Sequence, residues 1–139
     1  MLRTIAPDDR TMLLPALIVA LVVLLLLVSS ILVGRARGLY GIKAPATTGH
    51  PDFERAFRAQ MNTQEAALMF LPTLALAAWL GQPLLASIFG AIWLLARAWY
   101  LAAYLRDASK RGPAFTLGAL MQVALLVQVF VALARAALM

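Results

Sequence analysis

Met12–Val33 runs for about 22 residues without a charge, with only Pro15, Ser29 and Ser30 to interrupt the apolar pattern. A helix rising about 1.5 Å per residue covers about 33 Å in that stretch, enough for a hydrocarbon core of about 30 Å. A cleaved signal peptide is the competing reading, but its apolar region is usually only about 7–15 residues. The stretch therefore reads as a first transmembrane helix over 12–34, and the rest of the chain must be compatible with a bilayer. Composition agrees. Hydrophobic residues make up 63% and charged residues 13%, where soluble domains have about 25% charged. At 139 residues the chain is expected to be one all-α integral membrane domain, 1–139.

The stretch that sets function apart from mere membrane insertion is Glu54–Glu65, E-R-A-F-R-A-Q-M-N-T-Q-E, which runs directly into the apolar Ala66–Leu80. A charge near a membrane-helix centre costs roughly 2.5–3.5 kcal/mol on insertion scales. Such groups are tolerated only when they face protein, water or a ligand. The apolar part covers only about 22 Å. The polar half must therefore dip into the bilayer inside a bundle or project from it as a cytoplasmic extension.

The remaining segments follow from their punctuation. Gly34–Pro51 reads as a basic, turn-rich connector carrying Arg35, Arg37, Lys43 and His50. Pro51 suits the first position of a second helix, about 52–80, and Asp52 and Glu54 place negative charge at its N-terminal end. Gly81-Gln82-Pro83 is an uncharged tight turn, which makes the second and third helices antiparallel neighbours. The third is expected over 84–109, ended by Lys110-Arg111-Gly112-Pro113. The fourth is expected over 114–137, where Gln122 and Gln128 read as interhelical packing groups. Most cations fall in or beside the first and third connectors, with Arg3, Arg10 and Arg135 at the other end. Both termini are therefore expected outside the cytoplasm, in a bacterial inner membrane or a eukaryotic internal one.

Several function classes drop out. The net charge of +6 follows from the clustering of Lys and Arg on the cytoplasmic side. No basic run interleaves with aromatics, so nucleic-acid binding is not expected. The absence of cysteine removes disulfides, thiolate metal sites and a cysteine nucleophile. The lone His50 argues against a protein-only zinc site, and no metal is expected.

Two polar stripes remain. Arg58, Asn62 and Glu65 are spaced by four and three, so they share one helix face, which Arg55 extends. Arg97, Tyr100 and Tyr104 repeat that spacing on the third helix, with Arg111 beyond them. Together they offer guanidinium forks for carboxylates, an acid for an ammonium group and phenol hydroxyls. That set suits a small zwitterion with more than one carboxylate. A plainer alternative pairs Arg58 with Glu65 as an internal salt bridge, binds Arg97 to another helix, and makes Trp99, Tyr100, Tyr104 and Arg106 interface anchors. One internal acid, Glu65, cannot neutralise both Arg58 and Arg97.

The stripes are also where the chain resembles a known family. Phe53–Glu65 (F-E-R-A-F-R-A-Q-M-N-T-Q-E), preceded by Thr47–Gly49, and Leu95–Arg106 (L-A-R-A-W-Y-L-A-A-Y-L-R) resemble the MAPEG superfamily of membrane-associated proteins in eicosanoid and glutathione metabolism. The likeness is strongest to the branch of leukotriene C synthase and the microsomal glutathione transferases. It implies a four-helix protomer of a homotrimer, with glutathione between neighbouring protomers near the cytoplasmic side. By matched position, the glutathione contacts would be Arg37, Arg58, Gln60, Asn62, Glu65, Arg97, Tyr100 and Tyr104. Arg111 matches the arginine that activates the thiol, which would attack a lipophilic electrophile drawn from the membrane lipids. Ala66 departs from that branch, which has a tyrosine there, and a glutathione hydrogen bond is expected to be lost with it.

The resemblance implies a membrane glutathione transferase, with glutathione peroxidase activity toward lipid hydroperoxides as a side reaction. A non-catalytic scaffold that binds fatty acids on the same fold is the alternative. A small proton-coupled exporter also has four helices and a membrane glutamate, but there the glutamate lies in the first helix, which here carries no charge.

Overall fold

The computed structural model describes residues 10–138. The N-terminal Arg3, Asp8 and Asp9 lie outside the described residues. Among those described, four α-helices are long and apolar enough to cross a membrane. They are α1 (Leu13–Tyr40), α2 (Pro51–Leu80), α3 (Pro83–Arg106) and α4 (Gly112–Ala137), with a short 3₁₀ turn over Ala108–Arg111 between the last two. Helices α2 and α3 form the central pair, and α1 and α4 each pack against both.

Two boundaries differ from the sequence expectation. Helix α1 does not stop at 34; it continues through Gly34, Arg35, Arg37 and Gly38 to Tyr40. A glycine inside a helix costs about 1 kcal/mol, which does not end a helix that has a better stop ahead. That stop is Gly41, whose φ of 65° is left-handed, and Ile42 N–H then donates to the Arg37 carbonyl at 3.0 Å. Arg35 and Arg37 therefore stand on helix rather than connector. At the other boundary, α3 ends at Arg106 and not at 109. Asp107 takes an extended conformation, and its carboxylate accepts from the Ser109 N–H at 2.9 Å and the Ser109 hydroxyl at 2.7 Å. Gly112 and Pro113 open α4 instead of closing α3. Arg111 consequently sits on the 3₁₀ turn.

Helix α2 starts as its sequence suggests. The His50 Nδ1 accepts from the Asp52 N–H at 3.2 Å, and Pro51 occupies the first turn, where no N–H is needed. The polar half of α2 is held by its neighbours. Tyr40 on α1 donates to Asp52 at 2.8 Å, Asp52 also pairs with Arg55, and Arg55 Nε donates to the Leu105 carbonyl on α3 at 3.4 Å. Arg55 is thereby spent on joining helices rather than on extending the binding stripe. The two glutamines of α4 act as interhelical ties. Gln122 donates to the Thr73 hydroxyl at 3.0 Å, and Gln128 donates to the Ala77 and Gln82 carbonyls at 3.0 and 2.9 Å.

The core lies along α2 and α3. Small residues at Ala56, Ala59, Thr63, Ala67 and Ala77 let the neighbouring helices come close, while Phe70 stacks on Trp93 with ring centroids 3.7 Å apart. Gly90 marks the tightest crossing. A Cβ built there would lie 3.0 Å from Leu74 Cδ1 and 3.3 Å from Ile18 Cδ1. Gly90→Val is therefore expected to destabilise the protein by about 1–3 kcal/mol, read as a lower melting temperature in detergent. Gly90→Ala is expected to be much milder, because those neighbours are flexible side-chain ends and alanine favours the helix. Outside this core, α1 and α4 expose long rows of Leu, Val, Ile and Phe. That distribution is suited to lipid or to neighbouring subunits, not to water.

Candidate functional site

A groove of about 770 Å³ opens between α2, α3 and α4 beside the 3₁₀ turn. Helix α2 contributes Asn62 and Glu65, α3 contributes Arg97 and Tyr100, and the turn contributes Arg111. Five of the nine candidate site residues thus line one space. Asn62 Nδ2 donates to the Tyr100 hydroxyl at 2.8 Å, so the two stripes meet directly.

Arg97 is the unusual member. It is only 5% exposed, and its guanidinium lies 4.6 Å from the Tyr100 ring centroid and 5.5 Å from that of Trp93. Ring faces stabilise a cation by roughly 0.5–2 kcal/mol, well short of the several kcal/mol that removing a charge from water costs. No carboxylate among the described residues supplies the remainder. Salt bridges among the described residues join only Asp52 to Arg55 and Asp107 to Lys110. The internal Arg58–Glu65 pair of the plainer reading is absent among those described residues, and Arg97 pairs with no acid on another helix.

Arg111 stands at the mouth of the groove. Its NH1 donates to the Ala108 carbonyl at 2.6 Å, and its guanidinium lies 5.3 Å from the Tyr104 ring centroid. Asp107 anchors the turn that carries it. The hydrogen bonds from the Ser109 hydroxyl and N–H hold the Asp107 carboxyl below its usual range, with Lys110 helping by its charge.

The other four candidates lie elsewhere in the protomer. Tyr104 and Arg58 line an adjoining pocket of about 550 Å³. Tyr104 still reaches the groove indirectly, with its ring 5.6 Å from that of Tyr100. Gln60 turns toward α1, where it donates to the Ser30 hydroxyl at 3.1 Å. Arg37 donates to the Ala46 carbonyl at 2.8 Å and covers the Phe53 ring at 4.7 Å. A single chain therefore presents two separated polar surfaces, one on the groove side of α2 and one on its α1 side.

Sequence reasoning missed the aromatic wall. Trp93, 2% exposed, and Phe115 line the groove, together with Met69 and Gln122. Trp93 lies one helical turn before Arg97, and that spacing was the available signal. Trp99, singled out instead as an anchor, is 50% exposed. Ala66 also lines the groove, so the tyrosine position of the resembled branch opens directly onto it.

The model of the MAPEG family matches residues 15–131. This chain belongs to the MAPEG family. Family membership and four helices of membrane-crossing length make it an integral membrane protein. This MAPEG chain is 50% identical over 113 residues to an uncharacterised protein of Synechocystis sp., covering 81% of the chain and 82% of that relative. It is 40% identical over 85 residues to microsomal glutathione S-transferase 2 of Homo sapiens, covering 61% of the chain and 58% of the relative. Against leukotriene C4 synthase of Rattus norvegicus it is 38% identical over 96 residues, covering 69% and 64%. The chain thus spans less than two thirds of the length of these last two relatives. Among the described residues of this MAPEG chain, no group of three or more His, Asp or Glu residues is placed to hold a metal ion.

Proposed function

We propose that this protein is a membrane glutathione transferase, in which the groove binds glutathione and Arg111 favours its thiolate for attack on a lipophilic electrophile from the bilayer. The observation that carries this reading is Arg97, a buried guanidinium on the groove wall with no carboxylate partner among the described residues. Glutathione has two carboxylates and one ammonium group. The groove answers with the guanidinium of Arg97, the carboxylate of Glu65, and the amide and phenol of Asn62 and Tyr100. The kinship with microsomal glutathione S-transferase 2 and leukotriene C4 synthase supports the same ligand.

The positions of Arg37 and Gln60 on the α1 side, away from the groove, support a site completed by a second copy. A neighbouring protomer of a homotrimer would bring its own α1-side surface to the groove of the first, giving the ligand both polar faces of α2. The basic ends at the first and third connectors support a cytoplasmic side for this site.

The chemistry follows from the residues. A free thiol titrates near 8.5, and the thiolate is the nucleophile. An arginine stays charged throughout the working pH range, so it can favour that anion without donating its own proton. Held near Arg111, the thiol gives its proton to solvent. With an aryl halide the sulfur then forms the C–S bond as halide leaves. With a lipid hydroperoxide the same thiolate attacks the O–O bond, and a second glutathione completes the reduction to the alcohol, water and the disulfide.

The test is conjugation of glutathione to an aryl halide by the purified protein across pH. Turnover is expected to rise with pH through a midpoint below the thiol's ordinary value of about 8.5. Glutathione must also bind saturably. Tight fatty-acid binding with neither turnover nor glutathione binding would contradict the proposal and favour a lipid-binding scaffold.

A further inference from the structure

The opposite end of the bundle carries a second cavity, about 630 Å³ between α3 and α4. Leu85 and Phe89 on α3 and Val127 and Val131 on α4 form its walls, with Gln82 and Arg135 at its rim. Its floor has a fixed height. Gln128 Nε2 bridges the Ala77 and Gln82 carbonyls, so α4 is level with the α2–α3 turn at that residue. Arg135 lies about two turns, or about 10 Å, further along α4, past the ends of α2 and α3. Its side chain is exposed and forms no ion pair or hydrogen bond with another described residue.

The polar layer on each side of the hydrocarbon is about 5–7 Å thick. With the uncharged Gly81-Gln82-Pro83 turn taken at the hydrocarbon edge, Arg135 stands just beyond that layer, and its long side chain reaches back to the phosphates. A phosphate set off from its acyl chains by glycerol meets a cation at that height, whereas the carboxylate of a free fatty acid lies lower, at the end of the chain. Charge complementarity points the same way, because Arg135 is a guanidinium with no acidic partner among the described residues and is suited to a phosphate oxygen pair. We infer that this groove binds one anionic diacyl phospholipid of the phosphatidylglycerol type, its phosphate on Arg135 and an acyl chain along Leu85, Phe89, Val127 and Val131. This site is separate from the proposed glutathione groove and independent of what that groove does.

The test uses the full-length protein, reconstituted in nanodiscs of equal phosphatidylcholine and phosphatidylglycerol and then released into neutral detergent. Native mass spectrometry counts the lipids retained. Wild type is expected to keep phosphatidylglycerol over phosphatidylcholine by about tenfold, the scale of one charge-assisted contact worth about 1.4 kcal/mol. Arg135→Gln should remove that preference, and Val127→Trp, at an exposed wall position, should lower retention of both lipids. Equal retention of the two lipids by wild type would overturn the inference, as would a preference that survives Arg135→Gln. Full displacement by palmitate would make this a fatty-acid site and overturn it too. A change of oligomeric mass in Arg135→Gln with lipid retention intact would mark a contact between copies, again overturning it.

Discussion

Arg111→Ala is expected to lower glutathione turnover by about one to two orders of magnitude at pH 7 and to leave glutathione affinity nearly unchanged. The size follows from competing terms. If the guanidinium lowers the bound thiol by about two units, roughly 2.7 kcal/mol, its loss drops the thiolate fraction about 25-fold at pH 7 for a thiol reverting to about 8.5. A more basic thiolate is intrinsically more reactive, with a Brønsted slope of about 0.4–0.5. This returns about 6–10-fold and leaves only about 3–4-fold from ionisation, so the rest of the loss comes from positioning. Loss of the positioning that holds sulfur at the groove mouth works in the opposite direction. The two causes separate by pH. The midpoint of the kcat profile should move up toward about 8.5, and turnover should recover in alkali to the extent that ionisation alone was lost. Full turnover with an unmoved midpoint would show that Arg111, which in the structure covers the Tyr104 ring, does not act on the thiol.

Arg97→Leu carries the second large effect, and its two parts have opposite signs. Among the described residues, Arg97 is a buried charge held by two ring faces. Leucine removes the desolvation cost of an incompletely paired buried charge, which offsets the packing volume lost with the shorter side chain. The melting temperature without ligand should therefore hold steady or rise. Glutathione affinity should fall about 30-fold or more, since removing one partner of a buried charged pair costs about 2–5 kcal/mol. Wild type should consequently melt higher as glutathione is added, by the linkage of ligand binding to folding, and the variant should not. A variant that melts well below wild type yet keeps its glutathione response would make Arg97 a packing residue.

How much of this was legible in the sequence depends on the residue. The four helices were readable because lipid demands long apolar runs, and Met12–Val33 is one without qualification. The ends were not. Gly34 and Gly38 looked like breakers, but the helix runs on until Gly41 takes a left-handed φ. Gly112-Pro113 reads as a stop after α3 or as a start for α4, and only the capping of the turn by Asp107 decides between them.

The stripes on α2 and α3 were legible as helical spacing, and Asn62 does meet Tyr100. Spacing could not show that Gln60 faces α1 while Asn62 faces α3, because that depends on how three helices surround α2. Nor could it show that Arg55, next in the stripe, is taken up by Asp52 and Leu105. Trp93 went unseen for a similar reason. It sits in the apolar stretch before Arg97 with nothing in the sequence to mark its direction, and it lies against Phe70 beneath Arg97. Ala66 was visible as a departure, and its place on the groove gives a physical meaning to the missing tyrosine.

Calorimetric titration of glutathione into the detergent-solubilised wild-type protein is the most direct test of a glutathione site in this groove. The expected result is saturable binding that Arg97→Leu weakens by at least an order of magnitude and Arg111→Ala leaves nearly intact. The contradicting result is an absence of saturable binding to the folded wild-type protein, or binding that Arg97→Leu does not change.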